Sequence, residues 1–176
     1  HVQPRTDLQA GEVEIKVLAA GLNFSDVMKS LQLYPSDTEI LPGLGVECCG
    51  RITRVGSGVS EWAVGDEVIA VAPGSFATHV TVPTSLLARK PAGLSEDQAA
   101  AIPIAFLTAS HALHTCARLA AGETVLIHAA SGGVGLAAMQ LARQAGVRIL
   151  ATAGSEEKRD FVRQQGAHWV GDSRTL

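Results

Sequence analysis

The chain has 176 residues, of which 47% are hydrophobic and 18% charged, and its net charge at pH 7 is −3. With a mean hydropathy of +0.21, this composition predicts a globular protein of one domain or a domain and a half. A charge so weak and scattered argues against a nucleic-acid-binding surface. No apolar run approaches the ~20 residues of a membrane span, so no membrane partner is expected.

The three cysteines are Cys48, Cys49 and Cys116. Their number is odd and two are adjacent, and neighbouring cysteines rarely bridge each other. A disulfide framework is therefore not expected, which favours a reducing, cytoplasmic location. All three are expected to be small buried side chains.

Up to about Pro91 the sequence predicts short strands separated by glycine turns. The segment Glu12–Ala19 alternates, with Val13, Ile15 and Val17 on one face. Further strands are predicted at Gly50–Val55, Glu67–Val71 and Ala77–Val82. Turn signals at this spacing predict a small β-barrel or sandwich.

After Pro91 the pattern predicts helices. Ser95 and Gln98 have the spacing of a capping box, in which the serine side chain caps free N–H groups and the glutamine reaches back. Pro103 is acceptable as the first residue of a second helix, which is predicted to run to about Ala117.

Near Gly122 a third pattern begins with Thr124–His128, a short apolar run that predicts a strand buried on both faces. The next helix is predicted to bury one stripe and to end at Gly146. The stripe consists of Val134, Ala137, Ala138, Leu141, Ala142 and Ala145.

A second strand is predicted at Val147–Thr152 and a third at His168–Gly171. Between them Ser155 is expected to cap a helix that ends before Gly166. The resulting β-α-β-α-β order predicts a parallel sheet.

The segment Ala130–Gly135 (ASGGVG) lies between the first strand and the first helix of this pattern. A pyrophosphate needs backbone that it can approach closely and a helix N-terminus whose free N–H groups face it. Read against G-x-G-x-x-G, Ala130 stands at the first glycine, while Gly132 and Gly135 fit. The strand–loop–helix–strand context favours dinucleotide binding over a glycine turn that only packs helix on strand.

The end of the second strand indicates which dinucleotide is preferred. An NAD site usually places an acid there to hold the ribose 2′-hydroxyl. The residues Ala151–Ser155 contain no carboxylate, the first acid is Glu156, and Lys158 lies one turn into the next helix. The missing acid and the nearby cation favour a 2′-phosphate, and therefore NADPH.

Several motifs follow one another along the chain: Ala20–Val27, Tyr34-Pro35, Gly43–Glu47, Gly65–Val68 and His128–Arg143. Together they resemble the zinc-free, quinone-oxidoreductase-like branch of the medium-chain dehydrogenase/reductase superfamily. The resemblance is greatest to the enoyl reductase domains of polyketide synthases and animal fatty acid synthase, and it covers all 176 residues.

The resemblance implies an α/β fold in which a GroES-like β-barrel-type domain precedes a Rossmann domain with a parallel, doubly wound sheet. On this chain it implies a GroES-like substrate and catalytic domain over residues 1–91, connecting helices over 92–121 and the N-terminal half of an NADPH-binding Rossmann domain over 122–176. Because three of six expected strands are present, Leu176 is not expected to be the natural end of an active enzyme.

The resemblance also implies roles for single residues. The glycine-rich loop would cradle the pyrophosphate, and Lys158 and Arg174 would clamp the 2′-phosphate. Thr108 matches a position near the nicotinamide, and Asn23 matches one that lines the nicotinamide and substrate cleft. The cofactor-binding residues so implied are Asn23, Thr108, Ser131, Gly132, Gly133, Val134, Gly135, Ser155, Lys158 and Arg174.

Tyr34 is the only tyrosine of the chain, and the resemblance implies a catalytic role for it. In the family a tyrosine here is linked to delivery of the α-proton and to the configuration of an α-methyl branch. A phenol beside a developing enolate can donate a proton or a hydrogen bond. The alternative is a tyrosine that packs beside the Tyr34-Pro35 turn.

Zinc alcohol dehydrogenases share this scaffold, but their ligand pattern is missing. A catalytic zinc needs about three protein ligands. No cysteine occurs in Gly21–Asp26, the Gly-His-Glu motif reads Gly45-Val46-Glu47, and the cysteine-rich lobe of the structural zinc is absent. No metal is therefore expected.

The resulting hypothesis is the enoyl reductase domain of a polyketide or fatty acid synthase, an oxidoreductase that uses NADPH to reduce an enoyl thioester on an acyl carrier protein. Neighbouring synthase domains would be its partners, with a homodimer as an option. Two alternatives stay open: a free-standing NADPH:quinone oxidoreductase, and a non-catalytic nucleotide-binding or structural module.

Overall fold

The computed structural model describes residues 7–33 and 43–175. The chain divides into two compact units, His1–Pro103 and Ile104–Leu176. The division falls inside residues 92–121, the stretch that was predicted to connect two domains. The domain limits themselves stay predictions. No helix in the described residues is long and apolar enough to cross a membrane.

The first unit contains one five-stranded antiparallel sheet with the order β4-β1-β2-β3-β5. Its strands are β1 (Glu12–Ala20), β2 (Glu47–Val55), β3 (Glu67–Val71), β4 (His79–Pro83) and β5 (Leu87–Arg89). The four predicted strands are all present, and the antiparallel sheet agrees with the predicted GroES-like class. The strands described for this unit all belong to one sheet, so among these residues a two-layer sandwich is not formed. The short strand β5 was not predicted.

The larger core cluster of the first unit lies on one face of this sheet, and a smaller cluster packs Cys49 and Ile69 against α2 (Glu96–Ala100). Val13 and Ile15 of β1 are fully buried and pack with Ile52 and Val68, so the predicted buried face of β1 is confirmed. The alternation is not strict, because Glu14 between them is also buried. At Gly50 of β2, an added Cβ would lie 2.3 Å from the backbone oxygen of Lys16. Only glycine allows β1 and β2 to approach this closely.

Short helices complete the first unit and lead into the second. They are α1 (Phe24–Ser30), α2 (Glu96–Ala100) and α3 (Pro103–Ser110). The predicted capping box is confirmed, because Ser95 Oγ accepts from the Gln98 N–H and the Gln98 side chain accepts from the Ser95 N–H. Pro103 does begin a helix, and a π-helical turn (His111–Cys116) continues it.

The second unit has the predicted β-α-β-α-β order. Its elements are β6 (Thr124–Ile127), α4 (Gly133–Gln144), β7 (Arg148–Ala153), α5 (Glu156–Gln164) and β8 (Trp169–Asp172). The three strands are parallel, with the order β6-β7-β8. The buried residues of α4 pack with Ile149 and Ala151 of β7, and this half of a Rossmann sheet confirms the predicted fold class.

Two burial predictions for this unit were wrong. Strand β6 is not buried on both faces, because Leu126 is 47% exposed and β6 pairs only with β7 among the described residues. Val134 does not belong to the buried stripe of α4, since it is 44% exposed. It lies in the first turn of the helix, whereas burial is concentrated further along, where Met139 is 1% exposed.

The cysteine prediction was correct for two residues and wrong for the third. Cys48 and Cys49 lie buried in β2, and all three thiols are free. Cys116 is exposed at the end of the π-helical turn, and its Sγ lies 3.5 Å from Nε2 of His111.

Candidate functional site

The loop between β6 and α4 is anchored to the end of β7 by Thr152. The Ala130 N–H donates to the Thr152 backbone oxygen at 2.9 Å, and Thr152 Oγ1 lies 3.1 Å from Nδ1 of His128. Thr152 is fully buried. It therefore holds the loop through both its main chain and its side chain. Thr152 was not among the predicted site residues, because nothing in its local sequence pairs it with residues 128 and 130.

The loop turns through a left-handed residue at Ala129, whose φ is +50°. Such a φ is uncommon for a residue with a Cβ. The Gly132 N–H then donates to the Ala129 oxygen at 2.9 Å, and Gly132 forms the N-cap of α4. The tight turn that G-x-G-x-x-G usually builds with its first glycine is thus made here with Ala129 and Ala130.

The N-terminus of α4 offers free N–H groups. The Leu136 N–H is the first to bond within the helix, donating to the Gly132 oxygen at 2.8 Å. In the part of the chain that the structure describes, no acceptor receives the N–H groups of Gly133, Val134 and Gly135, and no side chain caps the helix. In α5, by contrast, Ser155 Oγ accepts from the Lys158 N–H. The uncapped end of α4 is suited to an anion.

The glycines of the loop differ in what surrounds them. An added Cβ at Gly133 would meet nothing within 4 Å, and one at Gly132 would meet only the Ala129 oxygen at 3.3 Å. An added Cβ at Gly135 would lie 2.6 Å from that same oxygen and from Cα of Ala130. Gly132 and Gly133 therefore leave open space before the helix, whereas Gly135 lets the helix pack on the loop. This arrangement fits a dinucleotide pyrophosphate.

At the end of β7 the structure brings the predicted adenosine-side residues together in part. Arg174 Nη2 lies 3.9 Å, and Ser173 Oγ 3.6 Å, from the point where a Cβ on Gly154 would stand. Arg174 thus reaches the strand end where a ribose is expected. Lys158 is exposed in the first turn of α5, with Ser155 as the N-cap. The clamp formed by Lys158 and Arg174 stays a prediction.

An ion-pair network that was not predicted lies beside these residues. Arg159 pairs with Glu156 at 2.6 Å and with Asp172 at 2.8 Å. Hydrogen bonds from Arg159 and Arg163 lower the pKa of Glu156. The pKa of Asp172 is lowered first by the backbone N–H of Arg174 and also by the charge of Arg159. Both acids are therefore paired carboxylates.

In the first unit the two motifs Ala20–Val27 and Gly43–Glu47 meet in a buried polar cluster. The Asn23 side-chain amide donates to Glu47 Oε1 at 2.7 Å. Asp26 accepts two N–H groups, from Asn23 at 2.9 Å and from Gly45 at 2.8 Å. Asp26 and Glu47 are 2% and 3% exposed. The cluster holds Asn23 in one orientation, while its role beside a nicotinamide stays a prediction.

Replacing Asp26 with alanine should lower the free energy of unfolding by about 3 kcal/mol, because the buried Gly45 N–H and the partly buried Asn23 N–H would lose their acceptor. Chemical denaturation would measure this. The same replacement at the exposed acid Asp97 is the control and should change stability by less than about 1 kcal/mol. Equal effects at both positions would contradict a structural role for the cluster.

The remaining predicted residues are Ser131, Thr108 and Tyr34. Ser131 is half-buried in the turn before α4. Thr108 is exposed on α3 and lines an apolar surface depression. The other residues that line it are Leu107, His111, Ala112, Cys116 and Ala117. Tyr34 lies outside the described residues. The roles of all three residues therefore stay predictions.

The described residues also bear on metal and thiol chemistry. Within residues 7–33 and 43–175, no three His, Cys, Asp or Glu side chains are grouped so that they could hold a metal ion.

Burial, with smaller contributions from Cys49 and Glu47, raises the pKa of the Cys48 thiol to about 12. Cys48 is therefore not a thiolate nucleophile near neutral pH.

Two family models match the chain. The alcohol dehydrogenase GroES-like domain matches residues 9–92, and the zinc-binding dehydrogenase model matches residues 133–176. The first match covers the five-stranded sheet, and the second begins at Gly133 of the glycine-rich loop Ala130–Gly135, hereafter the phosphate-loop region. Both units of the chain thus have a counterpart among dehydrogenases.

Curated relatives are synthases far longer than this chain. A phenolphthiocerol/phthiocerol polyketide synthase of Mycobacterium tuberculosis is 44% identical over 176 residues, which are all of this chain and 8% of the synthase. Erythronolide synthase EryA2 of Saccharopolyspora erythraea is 50% identical over 147 residues, 84% of this chain and 4% of that protein. The chain is similar to one small segment of each.

Solved structures give the same result for the fold. CurK enoyl reductase is 41% identical with a TM-score of 0.92, over 99% of this chain and 55% of that one. The quinone oxidoreductase of Escherichia coli complexed with NADPH is 32% identical with a TM-score of 0.87, over 100% and 54%. The chain therefore spans about half the length of these solved relatives.

Proposed function

Because the chain belongs to the medium-chain dehydrogenase/reductase superfamily, we propose that it is part of an NADPH-dependent enoyl reductase of a polyketide or fatty acid synthase. The observation that carries the proposal is the 41% identity with CurK enoyl reductase over 99% of the chain. The open N–H groups of α4 and the synthase relatives support it. The substrate would be an α,β-unsaturated thioester on an acyl carrier protein, and neighbouring synthase domains would be its partners.

Bound NADPH would supply a hydride to the β-carbon of the enoyl thioester. The chain's own contribution begins at the loop, where Gly132 and Gly133 leave room for the pyrophosphate and the uncapped N–H groups of α4 face it. Preorganised donors of this kind need no rearrangement when the anion binds. Arg174, at the end of β7, would neutralise the 2′-phosphate together with Lys158.

The proton that completes the reduction has to reach the α-carbon. We assign this step to Tyr34, whose phenol can donate a proton to a developing enolate. Asn23 would line the same cleft, with its amide oriented by the hydrogen bond to Glu47. Thr108 would lie near the nicotinamide. The products are then the saturated thioester and the oxidised cofactor.

The test uses the whole protein that carries this chain, with a crotonyl thioester and NADPH. We expect NADPH consumption and a saturated thioester in equal amounts. Replacing Tyr34 with phenylalanine should lower kcat by roughly a hundredfold and leave the Kd for NADPH unchanged, since the phenol acts on the substrate. NADPH binding without reduction of any enoyl thioester would instead support a non-catalytic module.

A quinone reductase is the second candidate, favoured by the 32% identity with the Escherichia coli quinone oxidoreductase. The same protein should therefore be assayed with a quinone at equal concentration. A kcat/KM for the quinone above that for the crotonyl thioester would replace the first proposal with this one.

A further inference from the structure

Two acidic residues lie on the adenosine side of the proposed site, where an unpaired carboxylate would repel the 2′-phosphate of NADPH. Glu156 begins α5, three residues after the end of β7, and Asp172 is the last residue of β8. A carboxylate in this region can accept the ribose 2′-hydroxyl of NADH, and it repels a 2′-phosphate. The NADPH preference expected from Lys158 and Arg174 therefore requires that both acids be compensated.

One side chain compensates both acids. Arg159 Nη2 lies 2.6 Å from Glu156 Oε2, and Arg159 Nη1 lies 2.8 Å from Asp172 Oδ2. The guanidinium also donates to the backbone oxygen of Ala153, the last residue of β7, at 3.4 Å. The side chain is only 15% exposed. Arg159 is thus fixed by three groups and connects the ends of both strands to α5.

Asp172 in turn positions the predicted phosphate ligand. Its second oxygen, Oδ1, accepts the backbone N–H of Arg174 at 2.9 Å. Both oxygens of Asp172 are therefore used, one by Arg159 and one by the main chain of Arg174. Any change at Arg159 that frees Asp172 would alter the charge directly beside Arg174.

We propose that Arg159 is a positioning residue that determines the preference for NADPH over NADH. It pairs with Glu156 and Asp172, whereas neither Lys158 nor Arg174 forms a side-chain ion pair with any residue that the structure describes. This inference rests on the proposed function, because it requires that the site bind a nicotinamide dinucleotide. It assigns specificity to a residue that does not itself touch the 2′-phosphate.

The test measures the Kd of NADPH and of NADH by fluorescence titration of the whole protein and its variants. In Arg159→Met we expect the NADPH Kd to rise about tenfold, because Asp172 loses its ion-pair partner and Glu156 loses one of its two partners near the 2′-phosphate. The NADH Kd should change by no more than about twofold, since NADH carries no 2′-phosphate. The ratio of the two constants reports specificity, which a general loss of folding would not shift.

Two further variants separate charge from structure. Arg159→Met combined with Asp172→Asn removes one freed charge and keeps an oxygen for the Arg174 N–H, so it should recover most of the NADPH preference. Arg163→Met is the matched control. Arg163 pairs with Glu156 and Asp160 but has no ion pair with Asp172 within the described ranges, so its ratio should equal that of the wild type.

The outcomes distinguish this inference from the proposed function. A wild-type protein that binds neither dinucleotide would overturn both. A wild-type protein that prefers NADPH, with an unchanged ratio in Arg159→Met, would overturn the inference alone. A double variant no better than the single one would do the same. If Arg159→Met does not fold, Arg159→Lys serves instead. It should weaken NADPH binding relative to NADH binding, because one ammonium cannot bridge both acids.

Discussion

Valine in place of Gly133 is expected to raise the Kd for NADPH by about a hundredfold, a loss of about 3 kcal/mol. A Cβ at Gly133 would meet nothing within 4 Å, so the larger side chain fits the protein itself. It would occupy the open space before the free N–H groups of α4, where the pyrophosphate is proposed to lie. Titration of the whole protein with NADPH measures the effect.

The free energy of unfolding of Gly133→Val shows whether weaker NADPH binding comes from the blocked loop or from a destabilised fold. Glycine and valine differ little in helix propensity, so the free energy of unfolding should change by less than about 1 kcal/mol. Gln140→Val, an exposed change on the same helix, is the control and should leave NADPH binding intact. Wild-type affinity in Gly133→Val would refute the dinucleotide site at this loop.

Alanine in place of Gly135 is expected to act through the fold. Its Cβ would lie 2.6 Å from the Ala129 oxygen and from Cα of Ala130. Both are backbone atoms, so the start of α4 would have to move away from the loop. Overpacking of this kind costs about 3 kcal/mol. Chemical denaturation should show this loss of stability, accompanied by weaker NADPH binding.

Gly132→Ala is the matched control for Gly135→Ala. Its Cβ would approach only the Ala129 oxygen, at 3.3 Å, which a small adjustment relieves. The expected loss of stability is below about 1 kcal/mol. If Gly135→Ala were as stable as Gly132→Ala, the close packing of α4 on the loop would not be what requires glycine at position 135.

The features that could be predicted are those with signals local in the chain. The capping serines Ser95 and Ser155 mark helix starts, because the group that caps and the group that is capped lie three residues apart. The alternation of Val13 and Ile15 predicted a strand with one buried face. The strand, glycine loop and helix around Gly132 predicted the phosphate-loop region before any tertiary contact was known.

Predictions from local sequence signals were wrong or missing where a helix start or the burial of a side chain depends on residues distant in the chain. Helix α1 was not predicted, because it has seven residues and its start depends on Asp26, which also accepts the N–H of Gly45. Leu126 and Val134 are apolar and were expected inside. What covers an apolar residue is decided by the element that packs on it, and the residue's own type does not specify that element.

The sequence by itself determined the order of elements in the second unit, the family resemblance and the glycine loop, because each depends on residues that are close together along the chain. Only the tertiary structure decided how the loop is held and how the acids near the ribose position are paired. Thr152 is 24 residues from His128, and Arg159 meets Asp172 because α5 packs on β8, which pairs with β7. Strand pairing and helix packing create these contacts, and no periodicity in the chain encodes them.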